Sequence, residues 1–388
     1  MTSPPTPATV PREFAAPTMP RPIIVRGRGA KLWDAEGREY IDLGATHGVG
    51  NLGASHPEVV RAIERQAREL LYLGSGYGNS VRSEFLERLL ALLPGSFGSV
   101  FLSNSGTEAV EAALKVARSA TGRPKVVAAL RGFHGRTLGA LSATWRRELR
   151  EPFEPLVPGF VHVPFNDVPA LESAVDEQTA LVLLEPVQGE GGVHVATKEY
   201  LKAARAAADR SGALLAFDEV QTGLGRTGRM FAFEHFAVVP DLLMLAKSLA
   251  GGLPIGATVV ASEVVPRFRG SHHSTFGGNP LVCAAGIAAL DVLVREHLPE
   301  RAERLGARGQ ERLRLLPPEK VREVRGLGLM FGVEFREKVA PYLAALESRG
   351  FLAISAGTTV LRLLPPLVIS DEEWDAGLAA IGEVVRGG

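Results

Sequence analysis

Between residues 100 and 262 short apolar runs alternate with helical patterns, and this alternation constrains the fold more than any other feature. The runs are 125–130, 161–164, 180–184, 213–217, 242–246 and 257–260. Several are continuous rather than alternating, as expected of strands covered on both faces. Helical spacing of apolar residues lies between them, for example over 198–209. The repetition predicts an α/β fold, a mostly parallel sheet with helices on both sides.

The flanking segments differ. Residues 1–22, rich in Pro and Thr, read as a flexible tail without signal-peptide character. Residues 34–37 read as a turn between two strands, and 44–53 as a glycine-rich loop. Pro57 opens a helix on which Val59, Val60, Ile63, Ala67, Leu70 and Leu71 share one face. Pro280 starts another helix, to about residue 297. Beyond Ala302 come an Arg- and Glu-rich helix, a hairpin over 321–335, a helix over 337–349 and a strand over 360–364. A last helix starts at the capping box Ser370 and Glu373. We expect a large domain over 51–290 and a smaller α+β domain built from 23–50 and 291–388.

Lys plus Arg and Asp plus Glu both number 43, so net charge argues for neither a nucleic-acid partner nor a membrane surface. No run reaches the ~18 apolar residues of a membrane span. The single cysteine, Cys283, excludes an internal disulfide, lies in an apolar run and reads as core. No metal-ligand spacing surrounds it. A cytoplasmic location is the expectation.

Ligands of open α/β sheets bind beyond the carboxyl ends of the strands. Three charged residues stand at such ends: Glu185, Asp218 and Lys247. Each is costly to desolvate unless paired, which suggests a common site. Lys247 follows Leu-Leu-Met-Leu-Ala and precedes Ser-Leu-Ala-Gly-Gly. An amine in apolar surroundings loses proton affinity and becomes fit for Schiff-base chemistry. A lysine snorkelling from a strand end fits the same residues. Asp218 suits the protonated ring nitrogen of pyridoxal phosphate, or the capping of a following turn. Ser105, Gly106, Thr107 and Glu108 open a helix, either as a phosphate cradle or as a plain capping box. The 29 residues from Asp218 to Lys247 leave room for one strand–helix step between neighbouring strands.

Seven motifs in order strengthen the first alternative in each case. They are Asn-Ser-Gly-Thr-Glu-Ala from Asn104, Gly-Phe-His-Gly-Arg-Thr from Gly132, Glu-Pro-Val-Gln-Gly-Glu from Glu185, Asp-Glu-Val-Gln-Thr-Gly from Asp218, Ala-Lys-Ser from Ala246, Ser-Thr-Phe-Gly-Gly-Asn-Pro from Ser274 and Leu-Arg-Leu-Leu-Pro-Pro-Leu from Leu361. With them the chain resembles the class III aminotransferases of PLP-dependent fold type I, from about residue 23 to its end. The resemblance implies pyridoxal 5′-phosphate on Lys247, with Asp218 on its ring nitrogen. It implies phosphate contacts from Ser105, Gly106 and Thr107, Phe133 and Val220 on the two ring faces, and Gln221 on the ring hydroxyl. Thr275 would reach the phosphate in the partner subunit, which implies a homodimer with shared active sites.

For substrate, the resemblance implies Arg136 on a carboxylate, Ser274 nearby, and Arg362 on a second carboxylate, masked by Glu190. A guanidinium suits such bidentate recognition. The nearest branch covers acetylornithine aminotransferases and transaminases of carrier-linked lysine precursors. Arg131, Trp145 and the Glu-Lys-Val-Ala-Pro-Tyr run from Glu337 lean towards the carrier type. The basic trio Arg146, Arg147 and Arg150 suits an acidic amino-group carrier protein, or a solvated helix face. His47 stands where relatives often have tyrosine. The implied reaction moves an amino group between glutamate or 2-oxoglutarate and the semialdehyde of an N-blocked amino acid. LysW-aminoadipate semialdehyde is the first expectation and N-acetylornithine chemistry the alternative. A decarboxylase, an aminomutase or a PLP-fold regulatory module are more distant readings.

Overall fold

Apolar runs that offer no polar face must be covered on both sides, and they are. The computed structural model describes residues 22–74 and 76–387, so most of the predicted tail lies outside the described residues. A seven-stranded sheet has the spatial order Phe97–Ser103, Gly256–Ala261, Leu242–Leu245, Leu214–Asp218, Thr179–Leu184, Lys125–Ala129, Phe160–Val163. Every residue of the three central strands Leu242–Leu245, Leu214–Asp218 and Thr179–Leu184 is buried. Gly256–Ala261 runs antiparallel to both neighbours, and the pairings from Leu242–Leu245 to Phe160–Val163 are parallel.

The edge strand Phe97–Ser103 is absent from the strands expected from sequence. Its Gly and Ser residues and half-exposed face break the apolar run that marks its neighbours. The interval from Asp218 to Lys247 also differs from expectation, because it holds turns and the short 3-10 turn Ala232–His235 instead of an α-helix. Gly223, Gly225 and Gly228 punctuate it. Arg226, wholly buried, donates to the carbonyls of Leu329 and Pro365 and to Asn51 Oδ1. Burial pushes the Arg226 guanidinium down to about 9.

Outside this sheet, Ile24–Arg28, Lys31–Asp34 and Glu39–Asp42 form a meander, with Asp34 Oδ1 accepting from the amides of Glu36 and Arg38 at the expected turn. Phe351–Leu352 adds to it in parallel, joining the two ends of the chain. The expected hairpin forms between Val321–Leu327 and Met330–Phe335, and Val360–Leu363 and Ile354–Ala356 complete its sheet. The helix Pro280–Arg295 runs across residue 290. The capping box of Asp371–Arg386 is formed, Ser370 and Glu373 exchanging bonds of 2.9 and 3.1 Å.

The face that the helix Pro57–Glu69 buries is turned from the one expected, sharing with it only Val59 and the half-buried Ile63. Val59, Ala62 and Gln66 point inward at spacings of three and four, whereas Val60, Ala67, Leu70 and Leu71 are exposed. Leu70 already has extended backbone, so helical spacing no longer applies at Leu71. Cys283 is buried as expected, and burial pushes its thiol up to about 12. Among the described residues no helix is long and apolar enough to cross a membrane, and no three His, Cys, Asp or Glu side chains are grouped to hold a metal.

Candidate active site

Three adjacent strands end at one edge of the sheet and place their charged residues together. Thr179–Leu184 leads into Glu185, Leu214–Asp218 ends on Asp218, and Leu242–Leu245 leads into Lys247. The register pairs Phe217 with Leu184 and Asp218 with Met244, so the three ends are level. They open into a cavity of about 410 Å³. Asn104, Ser105, Gly106, Thr107, Phe133, His134, Arg136, Glu185, Glu190, Asp218, Val220, Gln221 and Lys247 all line it.

Ser105 caps the helix Gly106–Thr121, its Oγ accepting from the Glu108 amide at 3.3 Å. Half of the capping box read from sequence is therefore formed. Glu108 reaches back one residue further than in a capping box, to the Asn104 amide at 2.9 Å. The first helical amides have no acceptor within the helix, and the residues that carry them line the cavity, an arrangement suited to an anion. Glycine is needed here: a Cβ on Gly106 would stand 2.8 Å from Val220 Cγ1. The Thr107 hydroxyl accepts from the amides of Arg136 and Thr137 at 3.2 Å, tying the Phe133–Thr137 loop to the helix start. Phe133 and Val220 stand on the cavity wall, Phe133 held through its amide to Glu185 Oε1 at 2.9 Å.

Asp218 is buried, its Oδ1 accepting from the Val220 amide at 3.1 Å and its Oδ2 lying 2.9 Å from His134 Nδ1. His134 was not among the residues picked out from sequence. Burial alone would lower its imidazole, but the Asp218 hydrogen bond and charge outweigh burial and hold it above its ordinary value. Burial pushes Glu185 up to about 7, against the pull of His134 and the amides of Phe133 and Gly189. Burial also lowers the Lys247 amine, although Glu190 and Asp218 oppose it.

Arg362 is wholly buried, and its Nη1 donates to Glu190 Oε1 at 2.5 Å. Burial would raise the Glu190 carboxyl. The Arg362 charge and hydrogen bond beside it act against burial and hold it well below the usual carboxylate range. Gln221 is occupied on both sides, its Nε2 donating to the His47 carbonyl at 3.1 Å and its Oε1 accepting from Arg362 Nη1 at 3.4 Å. Arg136 lines the cavity, and its guanidinium has no ion-pair partner among the described residues.

Ser274 and Thr275 do not line the cavity. Ser274 Oγ accepts from Asn104 Nδ2 at 3.2 Å and from the Gly277 amide at 3.0 Å. Thr275 is exposed beside Tyr72, whose hydroxyl donates to its carbonyl at 3.1 Å. The basic trio is divided. Arg146 donates to the Glu190 carbonyl at 3.1 Å, Arg147 pairs with Glu151 at 3.2 Å, and Arg150 is half-buried. It is therefore not one solvated face. Arg131 Nη1 donates to His194 Nε2 at 2.8 Å, which places it outside the cavity wall.

The family described as aminotransferase class-III matches residues 14–385 of this chain. The chain is 50% identical over 368 residues to the LysW-aminoadipate semialdehyde transaminase of Deinococcus radiodurans, covering 94% of this chain and 86% of the relative. It is 48% identical over 368 residues to the acetylornithine aminotransferase of Methanopyrus kandleri, covering 94% of each. The crystal structure of an ornithine aminotransferase from Toxoplasma gondii superposes with a TM-score of 0.92 at 37% identity, over 96% of this chain and 92% of the other. With this fold, this cavity and these likenesses, the chain belongs to the class-III aminotransferases, enzymes that depend on pyridoxal phosphate.

Proposed function

We propose that this enzyme transfers an amino group between glutamate, with 2-oxoglutarate as its keto acid, and the semialdehyde of an amino acid whose α-amine is carried on an acidic partner protein. The substrate is a LysW-linked aminoadipate semialdehyde of lysine biosynthesis, the one named for the Deinococcus relative. The observation that carries the reading is the Glu190–Arg362 pair beside the cavity. A wholly buried arginine whose carboxylate partner can be exchanged serves two substrates in turn. An ω-amino substrate meets the closed pair, and glutamate displaces Glu190 to place its second carboxylate on Arg362.

The residues present fit pyridoxal phosphate. Ser105, Gly106 and Thr107 would hold its phosphate, Phe133 and Val220 would flank the ring, and Gln221 would face the ring hydroxyl once its Arg362 contact loosens. Thr275, and Ser274 beside it, belong to the neighbouring site of a homodimer. Exposed Tyr72 and Phe276, in ring contact beside Thr275, support that assembly. When bound, the cofactor supplies an electron sink for the carbon that loses a proton. Asp218, steadied by His134, holds a proton on the ring nitrogen. Lys247 Nζ takes the proton from the substrate's amine-bearing carbon, for which a lowered proton affinity suits it. Arg136 holds the substrate's carboxylate. A cytoplasmic location and a small domain built from both chain ends belong to this reading. The pairing of Phe351–Leu352 with Glu39–Asp42 supports the latter.

The second reading, N-acetylornithine as amino donor, is favoured by the name of the Methanopyrus relative. Absorbance of the yellow holoenzyme separates them. Glutamate bleaches the cofactor band under both readings. Rapid bleaching by N-acetylornithine establishes the second, whereas bleaching by carrier-linked lysine and not by N-acetylornithine establishes the first.

A further inference from the structure

We propose that His47 is a positioning residue for Arg362, holding one end of the guanidinium so that only the other changes partner. The inference rests on the reading of Arg362 given above. Arg362 Nη2 lies 3.0 Å from His47 Nδ1, while Nη1 bonds Glu190 at 2.5 Å. A guanidinium only donates, so Nδ1 accepts and the ring proton sits on Nε2. The approach of Nδ1 to Glu190, at 3.6 Å, is then a contact without a shared proton.

The backbone that delivers this imidazole is unusual. Ala45, Thr46 and His47 have φ of 40°, 47° and 60°, three consecutive left-handed residues without a glycine. Such a turn persists only where its surroundings over-determine it. Here Asp42 Oδ1 accepts from the amides of Gly44 and Ala45 at 2.8 Å each, and the His47 carbonyl accepts from Gln221 Nε2 at 3.1 Å. The turn is clamped at both ends, and what it aims at the cavity's edge is the acceptor for Nη2. When Glu190 withdraws, Nη2 stays on His47, and Nη1 meets the incoming carboxylate without the side chain swinging.

The test uses holoenzyme and two unreactive five-carbon acids, the dicarboxylate glutarate and the monocarboxylate valerate, with binding measured by calorimetry. Loss of a hydrogen bond to a charged group predicts that His47→Ala weakens glutarate about tenfold and valerate by no more than about twofold. Glutamate KM rises about tenfold, with kcat within about threefold of wild type. Asparagine tolerates left-handed backbone and can present Oδ1 where Nδ1 stood, so His47→Asn restores most of the glutarate affinity. Equal weakening of both acids, no weakening of either, or an Asn variant no better than Ala overturns the proposal. Wild-type enzyme that binds glutarate no better than valerate removes the role read for Arg362, and this inference with it. Failure of every ω-amino acid to bleach the cofactor, with glutarate preference intact, defeats only the substrate assignment.

Discussion

His134 Nδ1 lies 2.9 Å from Asp218 Oδ2, and both side chains are buried. The Val220 amide takes the other oxygen at 3.1 Å. Asp218 therefore cannot turn without losing two bonds, and its charge is held at a constant place on the cavity wall. The same contact keeps the imidazole raised despite burial.

Asp218→Asn is expected to lower kcat by about a thousandfold, within the range that positioned proton-holding groups contribute. His134→Ala keeps the carboxylate but frees it to rotate, and about tenfold in kcat is the expected loss. Steady-state kinetics on correctly folded variants checks both. A His134→Ala enzyme with wild-type kcat would show that the histidine only fills space.

Glu190→Ala should change preference more than rate. Without Glu190, Arg362 stays open to glutamate and is left unpaired against an ω-amino substrate. A hydrogen bond to a charged group is worth about 1.5–3 kcal/mol, so the ratio of kcat/KM for glutamate to that for the ω-amino acid rises about ten- to hundredfold. The two half-reactions, followed separately by cofactor absorbance, give the ratio directly. Equal losses in both would mean that Glu190 is structural.

Burial lowers His162 and His194 to about 4 each. Above the ordinary imidazole value of about 6.5 both states are neutral and stability is unaffected. Between about 6.5 and 4 the unfolded chain takes up protons that the fold refuses, so stability falls with falling pH. Glu185 and Glu219, pushed up to about 7 by burial, act oppositely over part of that window, because the fold binds their protons first. A difference measurement separates the two. Urea unfolding of wild type and His162→Gln is expected to diverge by about 1–2 kcal/mol between about pH 7.5 and pH 5, the wild type losing more. Parallel curves would place His162 in contact with solvent.

What the sequence reveals follows from how local each signal is. Strands such as Thr179–Leu184 and Leu242–Leu245 are buried on both faces and read as unbroken apolar runs, so the charged residues at their ends stand out. The edge strand Phe97–Ser103 carries no such run. Helix Pro57–Glu69 is legible as a helix, but its buried face only at Val59 and Ile63, because Val60 and Ala67 are as apolar as the positions that turn inward. His134 and His47 gave no sign of their partners, which lie 84 and 315 residues away and meet them only through the fold. The basic trio shows the opposite case. Its charges are adjacent in sequence but serve the Glu190 carbonyl, an i,i+4 pair and a half-buried niche.

Lys247 provides the most direct test of the chemistry. Its amine is lowered by burial, while Glu190 and Asp218 pull it up and Arg362 pushes it down again. Among the described residues no other lysine lines the cavity. In Lys247→Ala the cradle at Ser105, Gly106 and Thr107 and the Asp218 carboxylate are untouched, so pyridoxal phosphate should still bind, without a covalent link. Turnover is expected to fall by about a thousandfold or more, because in the proposed chemistry the same side chain would supply both the attachment point and the proton carrier. Desalting followed by absorbance measures retained cofactor, and single-turnover kinetics with glutamate measures the step. A variant that holds cofactor and turns over at a near-normal rate would remove Lys247 from the chemistry, leaving the lowered amine as a consequence of burial alone.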